Sequence, residues 1–465
     1  MNKIIFTGII CLLAFRGFTQ TEDSVFIRRI ADEILMNGKA YDDLRVLTKQ
    51  VGGRLSGSPQ MVKAEQWGLK TFQFINPDRA WLQQCMVPHW VRGGKDEATA
   101  SYLAVPPPNA KQTRRVTKKL DVIALGNSIG SGKAGVSSEV IEVKSFDELE
   151  AKKDLVKNKI VFYNYPFNQK FVKTFEAYSD AVIYRGQGPS RAAKYGAKAV
   201  IVRTMSGGTY NFPHTGATRY DSTLPKIPAI AIGVLDADWL SSMLQRGTLS
   251  VNLKTYGHFL PDTIGHNVIA ELKGSEFPNE YITIGGHLDS WDPAEGAHDD
   301  GAGVVQTIEV LRVLNALGYR PKHSIRFVLF ANEENGTRGG TKYAQEAKAN
   351  NEKHIFALES DEGGFTPRGF GFNGPDQQYQ KIASWQPLLC PYGGCEISKG
   401  GGGSDIAPLS VSQQTPECGL SPDSQRYFDV HHARNDVFEN VNKRELLLGA
   451  VNMAALVYLV DKYGL

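Results

Sequence analysis

The chain has 465 residues, enough for two or three domains with sizeable cores. With 42% hydrophobic, 22% charged and 10% aromatic residues it has a globular composition, which excludes a disordered, collagen-like or coiled-coil chain. There are 52 basic and 49 acidic residues, and Lys3 and Arg16 are the only charges in the first 20, so the remainder balances at 50 to 49 and offers no footprint for nucleic acid or an anionic membrane.

Residues 1–20 begin with Lys3, run through an apolar stretch from Ile4 to Phe15, and close on Gly17, Phe18, Thr19 and Gln20. This is the pattern of a secretory signal peptide, too short in its apolar part to span about 30 Å of bilayer as a helix. Cys11 has no small residue ahead of it, so a lipid anchor is not expected. No later run approaches 18 uninterrupted apolar residues, and the mature chain is expected to be exported, periplasmic or extracellular, without a membrane anchor. An oxidising compartment permits disulfides among Cys85, Cys390, Cys395 and Cys418, with three full connectivities. Cys390 and Cys395 bracket a Pro-Tyr-Gly-Gly turn and are the first pair expected.

Residues 23–76 carry helical periodicity (Ile27, Ile30, Ile34, Leu35) interrupted by the Gly- and Ser-rich residues 52–59, which predicts two helices joined by a loop. A strand is predicted around residues 81–91. Pro106, Pro107 and Pro108, followed by Lys111, Arg114, Arg115, Lys118 and Lys119, read as a solvated linker at a boundary. Residues 120–256 then change to short β-rich runs, such as 159–164 and 199–202, with a helix-compatible segment at 188–196 between them. From Asn267 strands and helices alternate: strand 281–285, helix 303–317, strand 325–331, helix 339–350, strand 355–358. Such alternation predicts an α/β fold with a mostly parallel sheet covered on both faces. Residues 443–463 have Leu446, Leu447, Val451, Ala454 and Leu459 at helical spacing and are expected to form a packing helix.

The chemistry concentrates at the ends of those strands. Gly286-His287-Leu288-Asp289-Ser290 follows the first strand, where open α/β sheets place their ligands. Asp289 is placed to accept from the His287 imidazole. Asp299 follows in the Gly-rich Gly296-Ala297-His298-Asp299-Asp300-Gly301. Adjacent Glu333 and Glu334 end the next strand, and being adjacent they point differently, so one can hold metal while the other handles protons. Asp361 ends the third strand, and His431-His432 supply further imidazoles. Two histidines and three carboxylates form an oxygen and nitrogen donor set suited to zinc.

In order, His-x-Asp, Asp-Asp-Gly, Glu-Glu, Ser-Asp and His-x-x-x-Asp resemble the co-catalytic dizinc exopeptidase family. That family includes bacterial leucyl-type aminopeptidases and glutamate carboxypeptidases, and the resemblance is closest to the plasma glutamate carboxypeptidase branch. It implies the zinc-exopeptidase fold in residues 21–119 and 257–465, interrupted by a β-rich protease-associated domain in residues 120–256 that shapes access and association. It implies two Zn²⁺ per chain, one on His287, Asp299 and Asp361, the other on Asp299, Glu334 and His432. Glu333 becomes the general base, Asp289 the orienter of His287, and the Asp299–Asp300 peptide is expected to be cis. His432 is preferred over His431 because the family places an Asp four residues after the ligand, here Asp436. His431, Ser404 and Asp405 are expected substrate contacts, with the glycines of residues 400–403 bringing backbone amides to a substrate terminus. The implied activity is hydrolysis of dipeptides or short unblocked peptides by a homodimer. A glutaminyl cyclase-like acyltransferase and a catalytically inactive binding protein on the same fold are the alternatives. The HExxH helix of other zinc proteases is absent, and serine-hydrolase chemistry is not expected.

Overall fold

The computed structural model describes residues 22–104 and 114–465. The expected signal segment 1–20 and the Pro106–Lys111 part of the linker lie outside the described residues. Among those described, the strands are β1 (Arg79–Val91), β2 (Glu97–Ala104), β3 (Arg114–Leu120), β4 (Val122–Ala124), β5 (Val136–Val143), β6 (Ile160–Tyr163), β7 (Ala199–Arg203) and β8 (Ala229–Ile232). They continue with β9 (Leu249–Lys254), β10 (His258–Leu272), β11 (Phe277–His287), β12 (His323–Phe330), β13 (Lys353–Glu359), β14 (Pro367–Asn373), β15 (Glu396–Lys399) and β16 (Glu417–Pro422).

Two eight-stranded sheets result. The first runs β1-β10-β12-β11-β13-β16-β14-β15. Its centre, β12-β11-β13-β16, is parallel, and antiparallel β1, β10 and β14 flank it. β12 is buried along its whole length, as expected for a strand covered on both faces. The helix Lys443–Tyr463 begins at Asn442, whose side chain accepts from Arg444 N and Glu445 N, and packs against the helices Glu22–Asn37 and Ala302–Ala316. It is long and apolar enough to cross a membrane, yet nearly all of it is buried inside this core.

The amino-terminal segment forms three α-helices rather than two. Glu22–Asn37 ends at Gly38, where a Cβ would lie 2.3 Å from the Ile34 carbonyl, and Ala40–Val46 starts beyond it. The third, Pro59–Ile75, is capped by Ser58 and stopped by left-handed Asn76. A disulfide joins Cys390 to Cys395, while Cys85 and Cys418 are free and buried.

The second sheet runs β3-β2-β9-β5-β6-β7-β8-β4, parallel through β5-β6-β7-β8. Its outer strands β2 and β3 come from residues before 120, because the basic run of Arg114 to Lys119 pairs with β2 instead of forming a linker. It also carries more helix than its short β runs suggest, including Thr174–Gly186 and Val234–Leu244. The two bodies share a core. Tyr427, Phe428 and Val430 pack with Phe167, Ala177, Ala181 and Tyr184, burying rings that each contribute about 1.5–3 kcal/mol.

Candidate metal centre

Three adjacent parallel strands deliver side chains to one edge of the first sheet. β11 ends at His287, which pairs with Phe330 at the end of β12, and Gly285 pairs with Glu359 at the end of β13. Glu333 and Glu334 follow β12 by three and four residues, and Asp361 follows β13 by two. Asp299 comes from the Ala297–Gly301 turn that leads into the helix Ala302–Ala316, and the Asp299–Asp300 peptide is cis. His432 comes from the turn after Tyr427–Val430 and is left-handed at φ 61°, a conformation costly for a non-glycine residue. The hydrogen bond from Thr215 N to His432 O, 3.0 Å, ties that turn to the second body.

The five side chains converge. His287 Nε2 lies 3.2 Å from both Asp299 Oδ1 and Asp361 Oδ1. His432 Nε2 lies 3.2 Å from Asp299 Oδ2 and 3.1 Å from Glu334 Oε2. Asp299 thus turns one oxygen to each imidazole, and its buried Oδ2 has no hydrogen-bond partner. An orphaned buried carboxylate oxygen among imidazoles and acids is what a divalent cation would satisfy, so the residues fit a metal. His431 Nε2 is farther, 3.6 Å from Asp299 Oδ2, and its ring stacks on His432.

The electrostatics are those of a crowded acid and imidazole cluster. Burial disfavours the imidazolium, yet Asp361 and Asp299 outweigh it and hold His287 well above its ordinary range. For His432, burial is likewise overcome by Glu334 and Asp299, which push it up to about 10. Burial and the Asp299 charge push Glu334 up to about 8, and burial pushes Asp361 up to about 6. Asp299 is held well below the usual carboxylate range because the His287 and His432 imidazoles that face it overcome its burial.

The centre floors a cavity of about 780 Å³. Half-buried Glu333, exposed Ser404 and the buried His431 and Tyr427 line it from the first body, and Asn127, Phe175, Tyr178, Arg185 and Arg219 from the second. Asp289 lies behind it. His287 Nδ1 is 3.0 Å from the Asp289 backbone carbonyl and 3.7 Å from its carboxylate, which instead accepts from Glu333 N at 2.9 Å and Ser56 Oγ at 3.3 Å. Asp289 therefore fixes Glu333 as much as His287.

Asp405 is not a cavity residue. It is fully buried, and its amide donates to Glu359 Oε2 at 3.1 Å. Packing requires glycine at two neighbouring positions: a Cβ on Gly401 would meet the Gly371 backbone, and one on Gly403 the Glu359 carboxylate. Residues 126–130 spell Gly-Asn-Ser-Ile-Gly, the pattern of a serine nucleophile elbow. Ser128 is fully buried there, accepts from Ala229 N at 2.9 Å and lies 3.4 Å from Tyr220 Oη, with no histidine among these partners. It has no nucleophile's surroundings.

The sequence assigned no role to the side chains of three supporting residues. Asp300 accepts from His287 N at 3.0 Å and Gly303 N at 2.9 Å, bracing β11 against the following helix. Arg54, in a loop that reads only as Gly- and Ser-rich, binds three backbone carbonyls of residues 288–296. Arg185 reaches His432 from the second body.

Residues 267–457 match the model of peptidase family M28. Carboxypeptidase Q of Mus musculus is 34% identical over 427 residues, 91% of this chain and 85% of that protein, and the Homo sapiens protein is 34% identical over 423 residues with the same shares. The crystal structure of a peptidase M28 precursor from Shewanella amazonensis SB2B superposes with a TM-score of 0.86 at 30% identity, covering 94% of this chain and 96% of that one. An aminopeptidase from Aneurinibacillus sp. strain AM-1 shares the fold at a TM-score of 0.61 and 21% identity, covering 94% and 95%. With the sheet order, the convergent acids and imidazoles and these relatives in agreement, the chain belongs to peptidase family M28 and is a metallopeptidase.

Proposed function

We propose that the chain is an exported exopeptidase holding two zinc ions and acting on dipeptides or short peptides with free ends. The observation that carries this reading is Asp299, which offers one oxygen to the His287 side and the other to the His432 side at 3.2 Å each. His287, Asp299 and Asp361 would hold one zinc, and Asp299, Glu334 and His432 the other. His432 is favoured over His431 by its shorter approach to Asp299 and its contact with Glu334. Zinc supplies Lewis acidity and brings the pKa of a bound water towards about 7.

The chain's own residues supply the rest. Glu333 faces the cavity while its main chain is pinned by Asp289 at 2.9 Å, so its carboxylate is positioned to take a proton from water and pass it to the leaving amine. Ser404 and His431 line the wall beside it and are proposed substrate contacts. The second sheet narrows the cavity mouth, which favours short peptides. Asn127, Phe175, Tyr178, Arg185 and Arg219, all within the expected inserted domain of residues 120–256, line that wall. Export is supported by the signal-like residues 1–20 and by the Cys390–Cys395 disulfide. A homodimer is part of the same proposal.

Purified protein should contain two zinc ions per chain, hydrolyse unblocked dipeptides and tripeptides faster than end-blocked ones, and lose activity to a chelator with recovery on zinc addition. One ion per chain under zinc-replete conditions would contradict the bridging role of Asp299. Light scattering tests the dimer.

A further inference from the structure

The two imidazoles are supported differently at their outer nitrogens. His287 Nδ1 faces acceptors, the Asp289 carbonyl at 3.0 Å and its carboxylate at 3.7 Å. An outer N–H given to such acceptors fixes the tautomer and raises the basicity of a metal-binding imidazole. His432 Nδ1 instead faces Arg185 Nη1 at 3.3 Å. A guanidinium is a donor only and is always charged.

Arg185 is 8% exposed. Its Nη2 donates to Tyr178 Oη at 2.6 Å, its Nη1 also approaches Thr215 O at 3.4 Å, and its Nε has no hydrogen-bond partner. None of these partners is a carboxylate. The approach is built in by Gly216 at φ +118°, where a Cβ would lie 2.5 Å from the guanidinium carbon and 2.6 Å from His432 Nδ1.

We propose that Arg185 weakens the metal position served by Glu334 and His432 relative to the one served by His287 and Asp361, so that it fills second and empties first. The proposal rests on the two-metal reading above. Its cause is the fixed charge, with no acceptor, at the outer nitrogen of His432. When Nε2 gives its lone pair to a metal, the neutral ring carries its hydrogen on Nδ1, and the Arg185 N–H then meets another N–H beside a fixed positive charge. Loading this position brings a divalent cation beside a fixed guanidinium charge held 3.3 Å from the ligand's outer nitrogen, and the two repel. Nothing equivalent opposes loading at His287. Arg185 is thus a positioning residue that acts through His432.

The test uses the full chain, stripped of metal and titrated with Zn²⁺ against a chromophoric chelator, and with Co²⁺ followed by its visible absorption. The wild type is expected to bind in two separate steps. Arg185→Met, which keeps the aliphatic stem and removes charge and donors, should tighten the weaker step by about 10- to 100-fold, the scale on which such outer partners act. The stronger step should stay in place, which also reports that the variant is folded. Arg185→Gln and Arg185→Lys form a second comparison differing in charge: the Lys variant should keep the wild-type separation and the Gln variant should lose most of it. A single step in the wild type overturns the two-metal reading and this proposal together. Two steps in the wild type, with the weaker one unchanged or weakened in Arg185→Met, or equal in the Gln and Lys variants, overturn this proposal alone.

Discussion

Arg54 offers the sharpest test of how the centre is held. It is fully buried, and its guanidinium donates from Nε to Leu288 O at 2.5 Å, from Nη1 to Glu295 O at 2.7 Å and from Nη2 to Gly296 O at 3.0 Å. Those carbonyls bracket the loop between His287 and Asp299. Arg54→Met leaves them without their charged donor, and hydrogen bonds to a charged group contribute about 1.5–3 kcal/mol each. A plain sum reaches about 5–9 kcal/mol. The three bonds share one side chain and the loop can relax towards water, so the expected loss is nearer the 3–5 kcal/mol or so seen when a buried charged partner is removed. Asp436, Asp289, Asp300 and Asp299 also lie in the field of this guanidinium, so its removal leaves the acids less compensated. Urea denaturation, with metal release followed in the same samples, should show both lower stability and earlier loss of metal. Arg54→Lys keeps the charge but not the fork and should lie between the two. A Met variant within about 1 kcal/mol of wild type, with unchanged metal retention, would refute the idea that Arg54 organises this loop.

Other substitutions separate roles that the geometry places side by side. Glu333→Gln should keep both metals while turnover falls by about 10² to 10⁴, whereas Glu334→Gln should lose one metal; metal counts by emission spectrometry that come out reversed would exchange the two assignments. Asp43 is half-buried, and burial together with Glu309 and Asp42 pushes it up to about 6. The folded state therefore favours its protonated form, a stabilisation present below its unfolded pKa near 4 and lost as pH rises through about 6. Asp43→Asn should accordingly raise stability by about 1–2 kcal/mol at pH 8, after allowance for partial solvent screening, and by little at pH 4; equal gains at both would remove this account. Gly216→Ala puts a methyl group into the Arg185–His432 contact and should lower activity and disturb metal binding while the circular dichroism spectrum is retained.

The legible part of this molecule is the part in which chemistry lies next to structure in the chain. A strand that ends in His287, another followed by Glu333-Glu334 and a third followed by Asp361 can be read in sequence because each ligand type comes within a few residues of a β-rich run. What converts them into a centre is contributed at long range. The Gly-rich residues 401–403 illustrate the difference, since their composition suggests a ligand-binding loop while the groups packed on them are Gly371, Glu417 and Glu359. Ser128 is the converse, a matching pentapeptide with no histidine beside it. The same reasoning bears on the second body. Because every expected ligand lies outside residues 120–256, the sequence predicts a module that shapes access and association and is separable from metal binding. Yet His432, held left-handed, takes its carbonyl bond from Thr215 and meets Arg185 across 247 positions of chain. A chain lacking that module would present His432 without either contact, so the module's removal should alter the affinity of the metal position His432 serves as well as the length of peptide admitted.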